Sequence, residues 1–291
     1  MVWWSSANLG ASFMDHSRGA VFGVLVAAFS VLCAAVPAAA QAAPAGADGL
    51  APHRMLYRLS LASASAGSGM TGADGAMVYR FAEGCDGWTV EKQTYLRLRY
   101  EGNSEVKSTW TFVSWESKDG LRYRFRMRHV RDGKTVEALQ GTAALDRRGG
   151  AGVARFLKPA DTTIDLPAGT LFPTQHLRAL IGAARDGESR FARVVFEGAS
   201  LEEPEEINAI MGELAARERQ ALARAAGLDD VPAWRMRLAF FPLTSPAAVP
   251  AFEIDIHYRA DGIAGDMRQD FGDFALDMTP GKIEILAPPE C

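Results

Sequence analysis

The sequence predicts an all-β fold with two helices, a curled, barrel-like antiparallel sheet of roughly fourteen strands. Three observations carry this. Apolar and polar residues alternate strictly along most of the chain, short turn motifs separate the alternating runs, and no run but two has helical spacing. The clearest run places Leu121, Tyr123, Phe125 and Met127 on one face and Arg122, Arg124, Arg126 and Arg128 on the other. Met77-Tyr79-Phe81, Leu96-Leu98-Tyr100, Trp234-Met236-Leu238-Phe240 and Phe252-Ile254-Ile256-Tyr258 alternate in the same way, as half-buried strands do.

In chain order, the first forty residues have the pattern of a cleavable export signal: Arg18, a small apolar stretch from Gly19 to Val36, then Pro37-Ala38-Ala39-Ala40-Gln41-Ala42. The stretch is Ala-rich and ends in small residues, which favours cleavage over a membrane anchor. Leu32 before Cys33 spoils a lipid-modification box, and no Arg-Arg pair marks the twin-arginine route. The expected destination is the periplasm. Residues 41–51, rich in Ala, Gly and Pro, read as a flexible leader, and residues 52–291 as one β domain.

Turns follow at Glu83 to Gly87, Lys118-Asp119-Gly120, Arg131-Asp132-Gly133, Asp146 to Gly150, Ala260-Asp261-Gly262 and Pro280-Gly281. Such short connections join antiparallel neighbours. Some fourteen strands are too many for one flat sheet, so the sheet must curl, close or fold over itself. The first helix is expected from about Thr174 to Asp186, opened by Pro173, with Leu177, Leu180, Ile181 and Ala184 as its apolar stripe. The second is expected from about Pro204 to Ala226: acidic at its start, basic later, with an apolar stripe of Ile207, Ile210, Met211, Leu214 and Leu222, and ended by Gly227.

Removing the signal removes Cys33 and leaves Cys85 and Cys291. In an oxidising compartment an even count pairs internally, closing a loop of roughly 200 residues worth about 5 kcal/mol in the chain-entropy model. Two free thiols or an intermolecular bridge are the competing arrangements. The formal charge of −4 shows no basic excess, which argues against nucleic acid.

Chemistry-bearing motifs are few. The sequence holds no H-E-x-x-H, no cysteine pair at zinc spacing, no G-x-S-x-G, no phosphate-cradling glycine loop and no calcium loop, so neither metal nor cofactor is expected. His53, His129, His176 and His257 have no ligand spacing. His176, with Asp165 to orient it, is the one candidate acid or base, and a hydrolase acting on envelope polymers would use it. A histidine in the first turn of a packed helix more often has a structural role. The ladder Arg122, Arg124, Arg126 and Arg128, repeating about every 6.8 Å, offers a contact for anionic groups of lipid or lipopolysaccharide. Glu116, Glu137, Asp266, Asp270, Asp273 and Asp277 are candidate cross-strand partners that would neutralise it. If the curled sheet is not filled by its own side chains, Trp110, Phe112, Tyr123 and Phe240 would line a cup for an apolar ligand.

The strings CDGW (Cys85 to Trp88), SWESKDGLRYRF (Ser114 to Phe125), LPAGTLFPTQH (Leu166 to His176), RLAFF (Arg237 to Phe241), DFGDF (Asp270 to Phe274) and the closing APPEC resemble the EipB-like family of cell-envelope integrity proteins, as does PHRMLYRLSLA at Pro52 to Ala62. The resemblance implies a monomeric periplasmic protein folded as an overlapping, unclosed antiparallel β-spiral, with a disulfide at the positions of Cys85 and Cys291. It also implies an envelope role against stress without known catalysis. The expected function is therefore a non-enzymatic scaffold or binding module whose partners are other periplasmic proteins or envelope components, lipid among them. The stretch from Glu202 to Val231 looks more helical than that family pattern.

Overall fold

A computed structural model describes residues 49–201, 204–243 and 249–291. The expected export signal, Cys33 and most of the expected leader lie outside the described residues.

The chain enters the sheet in its middle and leaves beside its point of entry. Strands β1 (His53–Ala64), β2 (Met70–Glu83), β3 (Gly87–Tyr100), β4 (Glu105–Ser117), β5 (Arg122–Arg131), β6 (Lys134–Leu145), β7 (Gly152–Lys158) and β8 (Thr162–Leu166) form an antiparallel meander to one edge. Helix α1 (Pro173–Arg185) then carries the chain to the opposite edge. From there β9 (Arg190–Val195), β10 (Glu205–Glu213), β11 (Ala233–Pro242), β12 (Phe252–Arg259), β13 (Ala264–Asp270) and β14 (Phe274–Ile285) meander back, with helix α2 (Ala216–Ala226) between β10 and β11. The last strand pairs with the first. Among the described residues this makes one sheet of fourteen antiparallel strands whose edges, β8 and β9, do not pair with each other. Alternation predicts the antiparallel strands, and the unclosed spiral that the family resemblance implies is the fold observed.

Alternation explains the inside. Met55, Tyr57 and Leu59 of β1, Leu96 and Leu98 of β3, and Ile254 and Ile256 of β12 all face inward and are buried. Helix α1 fills the space they leave. Leu177, Leu180 and Ile181 join the main core, while Phe172, just before the helix, joins a second cluster with Phe112, Tyr123, Phe125, Phe156 and Phe196. Tyr123 stacks on Phe172 at 5.0 Å and donates from its hydroxyl to the Glu197 carbonyl at 2.9 Å. The loop after β9 is thereby tied to the inner face of β5, on the far side of the chain crossing made by α1.

Two expectations need correction. The second helix does not begin near Pro204: residues 205–213 are strand β10, and the helix starts at Ala216. Ile207, Ala209 and Met211 are buried and Ile210 is 64% exposed, which is the period of a strand. The glutamates that mimic a helix start satisfy a strand equally well when β9 and β11 flank it on both sides. Order also begins earlier than Pro52. Leu50 and Ala51 are buried, and the Ala51 N–H donates to the Asp261 carbonyl at 2.8 Å.

Candidate functional site

Cys85 and Cys291 are joined, with Cα atoms 5.8 Å apart and a sequence separation of 206. Cys85 sits in the turn between β2 and β3, and Cys291 ends the tail that follows β14. Because β14, β1 and β2 are neighbours, the bridge spans β1 and fastens the tail to the next turn.

The sequence motifs converge beside this turn. Trp88, two strand residues on, is buried, with Lys118 Nζ 4.6 Å and the Arg178 guanidinium 5.5 Å from its ring centroid. The Lys118 backbone N–H donates to the Asp86 carbonyl at 3.0 Å, and its ammonium pairs with Glu83. Glu116 does not reach the arginine row as expected. Its carboxylate lies inside, accepting from the N–H of Thr174 at 2.7 Å and of Gln175 at 2.9 Å. Helix α1 has no side-chain cap of its own, so a carboxylate from β4 occupies its positive end. Burial pushes the Glu116 carboxyl up to about 7, against the opposing pull of those two bonds.

An open cleft of about 510 Å³ runs along the outer side of α1 from this point. Leu50, Leu171, Ala179 and Ile181 give it apolar walls, and Lys118, Arg148, Arg178 and Arg185 bring four cations. Among the described residues no acidic side chain lines it. Arg148 Nε donates to the Asp119 carbonyl at 3.2 Å, and Arg185 Nη2 to the Ala260 carbonyl at 2.7 Å. Carbonyl oxygens orient these two guanidiniums without cancelling their charge. Sequence reading missed the cleft, because its residues come from the β4–β5 turn, the β6–β7 turn and α1. One signal was present: Arg178 and Arg185 are seven residues apart and so share a helix face beside the apolar stripe.

The arginine row is where alternation places it. Arg122, Arg124, Arg126 and Arg128 all point outward and are exposed. The expected acidic partners are elsewhere: Glu137 opposes His129 rather than an arginine of the row, Asp277 pairs with Arg268, and Asp270 accepts from the Gly272 N–H. Asp266 and Asp273 lie on or just after β13, several strands away. Arg124 rests over the Trp115 ring at 4.9 Å, and Arg128 Nη2 donates to Thr135 Oγ1 at 2.8 Å. Positions opposite Arg124, Arg126 and Arg128 on the flanking strands are Trp115, Val113, Thr111, Thr142, Gln140 and Ala138. At the Arg122 end of the row, Asp119 is held below the usual carboxylate range by its hydrogen bonds from Ser117 and Leu121, with a smaller pull from Arg122.

The four aromatics proposed to line a common cup do not share one. Phe112 and Tyr123 belong to the second cluster, Phe240 stacks on Phe252 at 4.1 Å in the main core, and Trp110 stacks on His129 at 3.8 Å. Barrel-filling and ligand-lining residues have the same chemistry, and here they fill. A polar space does exist inside, at Lys92, Thr94 and Gln269, where Thr94 Oγ1 and Gln269 Nε2 have no partner. It measures about 10 Å³, room for at most one water. The α1 cleft, at about 510 Å³, has the size of a ligand site.

His176 is buried, and its Nε2 has no partner. Burial pushes its imidazole down to about 3, so the ring is neutral and tilts against Phe191 at 5.8 Å. Asp165 lies on the exposed side of β8, and among the described residues no hydrogen bond joins the two. The Asp165–His176 pairing expected from sequence is not formed.

A fourteen-stranded antiparallel spiral, wound on one helix and fastened tail to turn by a disulfide, defines the class as beta-barrel-like proteins. The crystal structure of a beta-barrel-like protein with a domain of unknown function from Brucella abortus superposes with a TM-score of 0.75 at 27% identity, covering 82% of this chain and 99% of that one. The cell envelope integrity protein EipB of Brucella abortus (strain 2308) is 28% identical over 241 residues, 81% of this chain and 84% of the relative. The EipB-like family model matches residues 44–287, and the chain belongs to the EipB-like family.

Proposed function

We propose that this protein is a non-enzymatic periplasmic factor supporting cell-envelope integrity, and that it works as a binding module whose β5 face docks on a surface of anionic lipid headgroups. Family membership supports the envelope role. The observation that carries the docking is the arginine row. Several outward arginines elsewhere on the sheet pair with carboxylates across strands: Arg80 with Glu91, Arg97 with Asp74, Arg235 and Arg237 with Asp255, and Arg268 with Asp277. On β5 their neighbours are threonine, glutamine, alanine, valine and tryptophan.

Guanidiniums held by a ring or a hydroxyl keep their full charge for an outside partner. Trp115 beside Arg124, exposed Val113 and Leu157 at 64% exposure add the apolar and aromatic groups that favour a lipid interface over an acidic protein.

The test is sedimentation with vesicles containing phosphatidylglycerol, against phosphatidylcholine alone. At about 1 kcal/mol per basic residue near an anionic surface, a triple variant R124Q/R126Q/R128Q should bind roughly 100-fold more weakly, and added salt should weaken the native protein in step. Equal binding by native and triple-variant protein, or none to either vesicle, sinks the proposal. Capture of an acidic protein by the same face, without vesicle binding, does the same.

A further inference from the structure

We infer that the cleft beside α1 is a binding site for a small phosphate-bearing ligand of the phosphorylated-saccharide class. This inference stands apart from the reading of the β5 face, because no residue of the arginine row lines the cleft.

Size comes first. About 510 Å³ lies within the range of small-molecule sites, and matches a mono- or disaccharide with its substituents. Charge comes next. Lys118, Arg148, Arg178 and Arg185 all line the space, and no acidic side chain is among its described lining residues. Two of the arginines are pre-aimed: the Asp119 and Ala260 carbonyls each take one N–H of a guanidinium, leaving its remaining N–H groups for a ligand. A guanidinium fork matches phosphate geometry in a way a lone ammonium does not.

The support beneath these groups is rigid. Trp88, itself buried, lies under both Lys118 and Arg178, and the turn carrying Cys85 accepts the Lys118 backbone N–H through Asp86. The disulfide therefore anchors one wall of the cleft, and α1, held at its start by Glu116, forms another. Leu171, Ala179 and Ile181 offer an apolar surface to the faces of a sugar ring, and Gln175 supplies an amide beside them.

Titration calorimetry tests this with two probes, inorganic pyrophosphate and a glucosamine disaccharide carrying two phosphates. The expected result is salt-sensitive binding of the disaccharide, weakened about 10-fold or more by R148Q and again by R178Q, since each removes charge-assisted hydrogen bonds. Arg148 is exposed in a turn, so R148Q should fold normally, and an unchanged melting temperature checks that. The R124Q/R126Q/R128Q variant should bind the disaccharide like the native protein, which separates this site from the β5 face. Pyrophosphate binding that R148Q weakens supports the anion site, with tighter disaccharide binding supporting the saccharide. No binding of either probe at millimolar concentration overturns the inference. So does binding that R148Q and R178Q leave unchanged, or binding of pyrophosphate that exceeds the disaccharide's.

Discussion

Removing the bridge with C85A/C291A tests how much the spiral depends on it. The sulfurs join positions separated by 206 residues. In the chain-entropy model a cross-link across about 200 residues removes some 18 cal/mol/K from the unfolded chain, about 5 kcal/mol at 25 °C. That is a third or more of the total stability of a typical domain. The folded state should change little, because β1 still pairs with β14 and the Leu286 N–H still donates to the Pro52 carbonyl. Both cysteines are replaced so that no lone thiol forms dimers. Urea unfolding followed by tryptophan fluorescence should show a midpoint shifted to lower urea, with a larger slope because the unlinked unfolded chain exposes more surface. A loss below about 1 kcal/mol would refute the reasoning, since the constraint would then act on an unfolded state already compact or be offset by strain in the fold.

Two further perturbations address the helix and the sheet. Burial raises the Glu116 carboxyl to about 7, above its unfolded value, so the folded state holds this proton more tightly. Stability from this group is full below about pH 4.5 and falls by about 3 kcal/mol as pH rises to 7; E116Q should flatten that slope in urea unfolding at several pH values, and an unchanged slope would assign it to other groups. In β2, a methyl group on Gly75 would strike the Tyr95 carbonyl oxygen of the paired strand and crowd the Leu96 Cα. G75A should therefore cost about 1–3 kcal/mol in thermal unfolding, and a neutral result would mean that the β2–β3 ladder yields easily there.

Much of the fold was legible because strand period is a local property. The alternation of Tyr123, Phe125 and Met127 with four arginines states which face is buried before any partner strand is known. Turn residues such as Asp119-Gly120 and Asp132-Gly133 announce antiparallel neighbours, and Gly120, Asp132 and Gly133 do adopt the left-handed backbone such turns need. Residues 205–213 were misread for an equally physical reason. Apolar residues two and four apart suit a strand, three and four apart a helix; Ile207 and Met211, four apart, satisfy both, while Ile210, three after Ile207, suggests the helix and lies exposed once β9 and β11 flank the strand. Glu116 alternates inward as its position requires, but its partner lies 58 residues away at the start of α1.

By itself the sequence determined the strands, the first helix, the facing of the arginine row and the pair of cysteines available to bridge. Each follows from spacing within a dozen residues or from a count. Tertiary structure alone decided that α1 crosses between the edges of an unclosed sheet, that Glu116 holds its first turn, and that two turns and a helix face bring Lys118, Arg148, Arg178 and Arg185 around one cleft. Those are contacts between distant segments, and periodicity along a chain carries no record of which segments will meet across a curled sheet.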